Sequence, residues 1–258
     1  MTDFIRKIRD QIEKVCDLNI DRAGAKGSIV ITRKKSRKYA WFSYRCQCKC
    51  IISDFDIDCV IDAGANEGQF AKSLRKYYSG EIHSFEPVSS AYALLSKTAE
   101  SDPKWFTYNF GLGREEAEHE IHVANNTVFS SLYNSNQSCV EHFGTQTDHV
   151  KKEKIMVRRL DDCLSEIKNI SKKSKIFLKM DTQGSDLDIF KGLGTWIESI
   201  YVIQSELSVI PIYKEIPHWT DTIGAFENAD FAVVGMFPVN REQYKVIEYD
   251  CLFVKSVK

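Results

Sequence analysis

VIDAGANEGQFAKSL, residues 60–74, joins a short apolar strand to a segment with helical periodicity. The turn between them carries Asp62, Gly64, Asn66 and Gly68. In open α/β sheets, ligands bind beyond the carboxyl ends of the strands. Glycine lets a ligand approach the backbone closely, and the first turn of a helix offers free N–H donors. The stretch therefore predicts a ligand-binding turn, although a glycine turn on its own also occurs without a ligand.

From residue 58 onward, short apolar runs alternate with segments of helical periodicity. Strands separated by helices indicate βαβ units and a parallel sheet. The last two apolar runs, DFAVVGMF and IEYDCLFVK, are joined by a segment too short for a helical crossover, which predicts an antiparallel pair. We therefore predict a doubly wound, seven-stranded α/β sheet with an antiparallel C-terminal hairpin, formed by residues 58–258.

Residues 1–57 are predicted to be an N-terminal extension. Its first 18 residues place apolar side chains at helical spacing, and residues 33–45 are both basic and aromatic. The motif CQCKC, with Cys46, Cys48 and Cys50, favours a strand whose cysteines share one face, because side chains alternate along a strand. A zinc site is the alternative, but such sites need a second pair of ligands, and no second cysteine pair follows.

The composition argues against two broad classes of protein. The 258 residues include 35 basic and 36 acidic side chains, so the chain lacks the basic excess typical of nucleic-acid-binding proteins. No apolar run approaches the ~20 residues that a membrane helix needs. The first residues also lack the unbroken apolar stretch of a signal peptide. We therefore expect a cytoplasmic protein without a membrane span, for which nucleic acid is an unlikely partner.

Three strand ends together predict the cofactor. A dinucleotide-binding turn has the pattern Gly-x-Gly-x-x-Gly, but Asn66 stands where the second glycine lets a pyrophosphate approach. The turn therefore favours a ligand without a pyrophosphate. Glu86, in SFEP at the end of the second strand, is predicted to accept both hydroxyls of a ribose. Residues 109–111 end the third strand, where an adenine could lie, so we predict S-adenosylmethionine.

The ordered motifs resemble one family. VIDAGANEGQF, SFEP, NFGLG, SSL, RRLDD, KMDTQG and IQSELS, between Cys59 and Val254, are similar to those of the FkbM-type S-adenosylmethionine-dependent methyltransferases. The resemblance implies a class I methyltransferase (Rossmann-like) fold and O-methylation, often of sugars in polysaccharides, glycolipids or natural products. Where the family usually has Asp-Val-Glu-Gly or Asp-Val-Gln-Gly, this chain has DTQG, from Asp181 to Gly184.

The strand ends and the resemblance together give a set of candidate cofactor contacts. They are Asp62, Gly64, Asn66, Gly68, Glu86, Pro87, Asn109, Gly111, Ser131 and Asp181. The resemblance places Ser130 and Ser131 in the cofactor or substrate cleft. As bare residues, the two serines could equally form a turn.

The catalytic candidates lie at the ends of the fourth and fifth strands. A sugar hydroxyl is a poor nucleophile that needs a base or a metal ion, which makes Asp181 the candidate base or metal ligand. Glu206 is the candidate second substrate or metal contact. The alternatives are a helix cap for Asp181 and a salt bridge at the sheet edge for Glu206. A divalent metal ion is possible but is not established by the sequence.

The candidate substrate contacts are Gln183, Tyr213 and Ser130. Tyr213 lies in VIPIYKEIPHW, a segment that suits carbohydrate stacking or that covers the core. We predict a sugar hydroxyl of a polysaccharide, glycolipid or nucleotide sugar as the acceptor. A non-sugar small molecule and a non-catalytic binding module are the alternatives. The basic aromatic segment also suits a homodimer contact.

Overall fold

The computed structural model describes residues 44–256 in full and the backbone of residues 18–23 and 28–33. The two N-terminal segments form an antiparallel hairpin of β1 (Leu18–Ala23) and β2 (Ser28–Arg33). The helix predicted within the first 18 residues lies outside the described residues, apart from Leu18, which begins β1. Most of the basic aromatic segment lies outside them as well.

Ten further strands follow the hairpin. They are β3 (Cys59–Ala63), β4 (Glu81–Phe85), β5 (Trp105–Tyr108), β6 (Gly111–Gly113), β7 (Ala117–Ala124), β8 (His149–Arg159), β9 (Ile176–Met180), β10 (Ile200–Ser208), β11 (Phe231–Glu242) and β12 (Lys245–Lys255). The α-helices of the described part are α1 (Tyr44–Phe55), α2 (Gln69–Leu74), α3 (Ser89–Ala99), α4 (Gln137–Phe143), α5 (Leu160–Glu166), α6 (Asp186–Lys191) and α7 (Trp219–Asn228).

The central sheet has seven strands in the order β11-β12-β10-β9-β3-β4-β5. The strands from β10 to β5 run parallel, and β12 is antiparallel to both β10 and β11. All residues of β3 and β9 are buried, as expected for central parallel strands that carry helices on both faces. The predicted doubly wound sheet with an antiparallel C-terminal hairpin is confirmed.

A second, three-stranded sheet, in the order β6-β8-β7, was not predicted. The motif NFGLG was expected to end the third strand, but β5 ends at Tyr108 and residues 111–113 pair in parallel with β8 instead. The local sequence pattern predicts that a segment forms a strand, but it does not predict the strand with which that segment pairs. This smaller sheet covers one side of the ligand-binding edge described below.

The motif CQCKC lies in helix α1, so the predicted strand is wrong. Side chains at helical spacing face the core: Tyr44, Gln47, Cys48 and Ile51 follow the i, i+3, i+4, i+7 pattern. The helical spacing extends beyond the cysteine motif at both ends. Within the motif, a cysteine at every second position resembles the alternation of a strand, which led to the wrong prediction. The helix packs on the central sheet, where Gln47 Nε2 donates to the carbonyl of Val234 at 2.6 Å. Among the described residues, no helix is long and apolar enough to cross a membrane.

Candidate active site

A cavity of about 300 Å³ opens at the carboxyl ends of β3, β4 and β9. The register of the sheet brings these ends together, because Asp62 lies beside Ser84 on one side and Lys179 on the other. Eight of the predicted site residues line this cavity. Six are predicted cofactor contacts, Gly64, Asn66, Glu86, Pro87, Gly111 and Asp181, and two are predicted substrate contacts, Ser130 and Gln183.

The turn after β3 presses its backbone against the end of β9. Gly64 has a φ of +72°, and a Cβ atom at this position would lie 2.1 Å from the carbonyl oxygen of Asp181. A side chain at Gly64 would therefore require both a left-handed backbone and a displacement of β9. Gly64, Ala65 and Asn66 of this turn line the cavity.

Asp62 lies in β3, just before the turn, and does not line the cavity. It is fully buried and accepts a hydrogen bond from Ser84 Oγ at 3.1 Å. Lys179 Nζ lies 3.0 Å from Asp62 Oδ1 and donates to the carbonyl of Gly64 at 3.0 Å. Burial lowers the pKa of Lys179, but the carboxylates of Asp62 and Asp181 outweigh burial and raise the pKa above its ordinary value. Lys179 was missed, although a lysine inside the apolar run IFLKM was a visible signal.

Glu86 presents a buried carboxylate to the cavity. Its two oxygens accept backbone hydrogen bonds from Asn66 and Val88, each at 2.8 Å. Burial raises the pKa of Glu86 to about 7, and the two backbone bonds only partly oppose this effect. Each oxygen keeps a further lone pair, so the carboxyl group is able to accept ribose hydroxyls.

Asn66 brings an unused donor to the cavity. Its Oδ1 accepts a hydrogen bond from Thr127 Oγ1 at 3.0 Å, which fixes the orientation of the amide. Its Nδ2 is buried and has no hydrogen-bond partner among the described residues. Buried polar groups are normally paired, so the free Nδ2 of Asn66 favours a ligand that accepts a hydrogen bond there.

Besides Asp62, three predicted cofactor contacts lie outside the cavity lining and support it: Gly68, Asn109 and Ser131. A Cβ atom on Gly68 would lie 2.8 Å from the ring of Trp105, so this glycine allows α2 to pack closely. Asn109 Nδ2 donates to the carbonyls of Glu86 and Pro87 at 3.0 and 3.2 Å. Ser131 Oγ donates to the carbonyl of Gln183 at 2.7 Å. Their predicted contact with the cofactor stays a prediction.

The two ends of the cavity differ in chemistry. One end is apolar and lies between the turn after β4 and the small sheet; its lining is Pro87, Val88, Leu112, Ile121, Ile155 and Val157. The other end carries Asn66, Lys179 and Asp181. Ser130 lies on the loop side, where its Oγ accepts from the backbone N–H of Ala124 at 3.2 Å.

A chain of hydrogen bonds leads from the polar end into the protein. Gln183 Nε2 donates to Glu206 Oε2 at 2.7 Å and to Asp181 Oδ1 at 3.3 Å. Tyr213 donates from its hydroxyl to Gln183 Oε1 at 2.7 Å, and its ring is buried in the core. The predicted candidates Asp181, Gln183, Glu206 and Tyr213 are therefore brought together in one network.

The carboxylate of Asp181 does not cap the following helix, which was the alternative interpretation of this residue. Asp186 caps the turn instead, since its Oδ1 accepts from the backbone N–H of Thr182 at 3.0 Å and from Thr182 Oγ1 at 2.6 Å. This contact also explains the threonine in DTQG, where the family usually has valine. The carboxylate of Asp181 lies 3.6 Å from Lys179 Nζ and remains one third exposed.

Glu206 lies beside the cofactor cavity and lines a narrow crevice with Pro217 and Trp219. Burial raises the pKa of Glu206 well above its usual range, and the nearby carboxyl group of Glu248 adds to the shift. Glu206 faces Asp250 across β10 and β12, so acidic groups rather than a salt-bridge partner surround it. Among the residues that the structure describes, no group of three or more His, Cys, Asp or Glu side chains is arranged to hold a metal ion.

The residues present fit S-adenosylmethionine. The apolar end suits an adenine, and Glu86 suits a ribose. Among the described residues, the carboxylates of Asp62 and Asp181 both lie near the cation Lys179, and this excess of negative charge suits a positively charged sulfonium. A volume of about 300 Å³ falls at the lower end of the range for small-molecule sites. When bound, S-adenosylmethionine supplies an electrophilic methyl group.

Solved structures of methyltransferases are similar to this chain over most of its length. One is the magnesium protoporphyrin IX methyltransferase of Synechocystis with bound S-adenosylmethionine, at 7% identity and a TM-score of 0.45, covering 82% of this chain and 78% of that one. Another is a precorrin-6y C5,15-methyltransferase of Geobacter metallireducens, at 9% identity and a TM-score of 0.45, covering 82% and 87%. An rRNA methylase of Streptococcus thermophilus has 8% identity and a TM-score of 0.43, covering 81% and 94%.

One protein-family model matches the sequence. No curated protein matches the sequence. The model of the methyltransferase FkbM domain matches residues 62–233, which is about two thirds of the chain and includes every cavity-lining residue named above. The chain therefore belongs to the FkbM methyltransferase family and is an S-adenosylmethionine-dependent methyltransferase with a class I, Rossmann-like fold.

Proposed function

We propose that this methyltransferase methylates a hydroxyl group of a sugar, in a polysaccharide, glycolipid or nucleotide sugar, with Asp181 as the general base. The proposal for the acceptor rests on the FkbM family, whose members often methylate sugars. The proposal for the base rests on the geometry of Asp181. A role in polysaccharide biosynthesis, a cytoplasmic location and a homodimer stay predictions.

The observation that carries the proposal is the position of Asp181. Its carboxylate borders the cofactor cavity, is one third exposed, and is held between Lys179 Nζ at 3.6 Å and Gln183 Nε2 at 3.3 Å. A base must be accessible to the acceptor and oriented toward it. Asp181 would take the hydroxyl proton as the acceptor oxygen gains the methyl group and the bond between that methyl group and the sulfonium sulfur breaks. The products would be a methyl ether, S-adenosylhomocysteine and a protonated Asp181 carboxyl group.

Glu206 is proposed to contact the acceptor from the neighbouring crevice. Its raised pKa favours the protonated carboxyl group, which can donate as well as accept a hydrogen bond. The half-buried ring of Trp219 lies in the same crevice and offers an apolar face beside these polar groups. Sugars present both hydroxyl groups and apolar C–H faces, so this combination supports a sugar acceptor.

The test is mass spectrometry of candidate glycans incubated with the protein and isotopically labelled S-adenosylmethionine. We expect one labelled methyl group on a sugar hydroxyl, and we expect the variant Asp181→Asn to lose about a hundredfold or more in rate. Glu227→Gln, an exposed acid on α7, is the matched control and should retain full activity. Methylation of non-sugar compounds alone would refute the acceptor, and full activity of Asp181→Asn would refute the base.

A further inference from the structure

Asp186 joins the ends of two neighbouring strands of the central sheet. Its Oδ1 accepts from the backbone N–H of Thr182 at 3.0 Å and from Thr182 Oγ1 at 2.6 Å, just beyond the end of β9. Its Oδ2 accepts from Ser205 Oγ at 2.7 Å, near the end of β10. We call these three bonds the Asp186 bridge.

Both partners of this bridge are sequence neighbours of the acidic residues that the proposed methyl transfer uses. Thr182 directly follows Asp181, and Ser205 directly precedes Glu206. In the register of the two parallel strands, Ser205 lies beside Met180, the residue before Asp181. The bridge therefore lies where it can fix the spacing between the proposed base and the proposed acceptor contact.

The turn after β9 needs such support because its backbone is in the left-handed region. Gln183 has a φ of +51°, and Gly184 has a φ of +108°. A residue other than glycine at positive φ is unfavourable, and it persists only where the surrounding structure holds it. The amide of Gln183 also donates to Asp181 and Glu206. A relaxed turn would therefore displace the carboxylate of Asp181 together with the amide that orients it.

The bridge acts from inside the protein. Asp186 is 5% exposed and Ser205 is fully buried, so Ser205 cannot contact the acceptor. Burial raises the pKa of Asp186, and the bonds from Thr182 and Ser205 oppose this effect. Because all three donors are neutral, an amide in place of the carboxylate could keep the geometry. Its oxygen would accept from Thr182, and its NH₂ group would donate to Ser205 Oγ.

We propose that Asp186 is a positioning residue for methyl transfer, which joins the ends of β9 and β10 and so holds Asp181 and Glu206 at the spacing that the reaction needs. The inference rests on the proposed role of Asp181 as the base, but it does not require the acceptor to be a sugar. Loss of the bridge lowers turnover and leaves the binding of the cofactor, at Glu86 and the turn at Gly64, in place.

Two variants of Asp186 test the bridge, with the acceptor that mass spectrometry identifies. Asp186→Ala removes all three bonds and should lower turnover about tenfold to a hundredfold, because small displacements of reacting groups are costly. Asp186→Asn can keep the bonds and should retain at least about a third of the turnover. Calorimetry should give dissociation constants for S-adenosylhomocysteine within about twofold of the natural protein for both variants, which also shows that they are folded.

Ser205→Ala removes one bond of the bridge and should lower turnover about threefold to tenfold. Ser199→Ala is the matched control and should keep full turnover. Ser199 is also buried, and its Oγ donates to the carbonyl of Lys172 at 2.9 Å, but it lies before the start of β10, at the end of the strand away from the site. An equal fall in turnover in Ser205→Ala and Ser199→Ala would contradict the bridge.

Three further results would overturn the proposal. They are full turnover of Asp186→Ala, an equal fall in Asp186→Ala and Asp186→Asn, and a loss of cofactor affinity as large as the loss of turnover. The base is tested separately by Asp181→Asn. If Asp181→Asn is impaired and Asp186→Ala is not, the role of Asp186 fails alone. If Asp181→Asn is fully active, the proposed base fails, and the role of Asp186 in positioning it fails too.

Discussion

Lys179 Nζ lies 3.0 Å from Asp62 Oδ1, and the two side chains are 4% and 0% exposed. The ion pair joins β9 to β3 directly beneath the cofactor turn, and Lys179 also holds the carbonyl of Gly64. Removal of one partner leaves an unpaired buried charge. The resulting loss of stability is larger than the net stabilisation that the intact pair provides.

We predict that Lys179→Met lowers the free energy of unfolding by roughly 3–5 kcal/mol. Lys154→Met is the matched control, because the Lys154–Glu118 pair at 2.7 Å is at the surface, with side chains 75% and 57% exposed. The control should lose no more than about 1 kcal/mol. Urea denaturation at neutral pH measures both variants. Similar losses of unfolding free energy in the two variants would contradict a larger effect at the buried pair.

The close contact between Gly64 and Asp181 gives a second prediction. Gly64→Ala would place its Cβ 2.1 Å from the Asp181 carbonyl, at a φ of +72°. We expect a loss of at least about 2 kcal/mol in unfolding free energy, together with weaker binding of S-adenosylmethionine, because the turn lines the cavity.

Gly224→Ala is the opposite case. Gly224 lies within α7, and an added Cβ would meet no atom within 4 Å. Alanine at a helix interior should therefore raise the free energy of unfolding by roughly 0.5–1 kcal/mol. Calorimetric melting and binding of the two variants check the prediction. It would be wrong if both substitutions moved the melting temperature in the same direction.

The central sheet was predictable because buried parallel strands appear in the sequence as short, uninterrupted apolar runs. Strands β3 and β9 come close to such runs, since Asp62 and Lys179 are their only charged residues, and each strand is followed by polar residues of the site. The ends of parallel strands meet at one edge whatever the order of the strands. Asp62, Glu86 and Asp181 could therefore be grouped before their neighbours were known.

Pairing between distant segments was not predictable. Lys179 gains its partner only because β9 lies beside β3. The pKa of Glu206 is raised by burial in the folded chain and, in addition, by Glu248 from β12. The switch of residues 111–113 into the small sheet depends in the same way on β8. Helix α1 was missed for a different reason, since an alternating cysteine motif hid a helical pattern that extends beyond it.

Glu86 makes stability depend on pH in a predictable direction. Its pKa rises from 4.5 to about 7 on folding because its carboxylate is buried. Between these two pH values the folded chain binds more protons than the unfolded chain, so stability falls as the pH rises and levels off above 7. The contribution is on the order of 3 kcal/mol.

Glu86→Gln cannot titrate and should lack this contribution. The difference in unfolding free energy between the natural protein and Glu86→Gln, measured by urea denaturation at a series of pH values, should therefore decrease across the window from 4.5 to 7. Other buried acids, such as Asp250, titrate in both proteins and cancel in the difference. A difference that is flat with pH, or that increases, would contradict a buried carboxyl group at this position.

Gln183 connects the proposed base to the interior and gives the last prediction. Its amide donates to Asp181 and Glu206 and accepts from the hydroxyl of Tyr213, so its polar atoms are already occupied by protein groups. Gln183→Met keeps the length of the side chain and removes all three bonds. We expect turnover to fall roughly tenfold to a hundredfold because Asp181 loses its orientation.

Binding of S-adenosylmethionine to Gln183→Met should change little, because Glu86, Asn66 and the turn at Gly64 remain in place. Gln137→Met is the matched control, since Gln137 is exposed and, within the described part of the chain, its amide donates to Glu141 at 2.7 Å, away from the cavity. Turnover with the acceptor identified by mass spectrometry and cofactor affinity by calorimetry separate the two effects. If affinity falls by the same factor as turnover, Gln183 holds the cofactor rather than the base, and its position between Asp181 and Glu206 serves the architecture of the cavity.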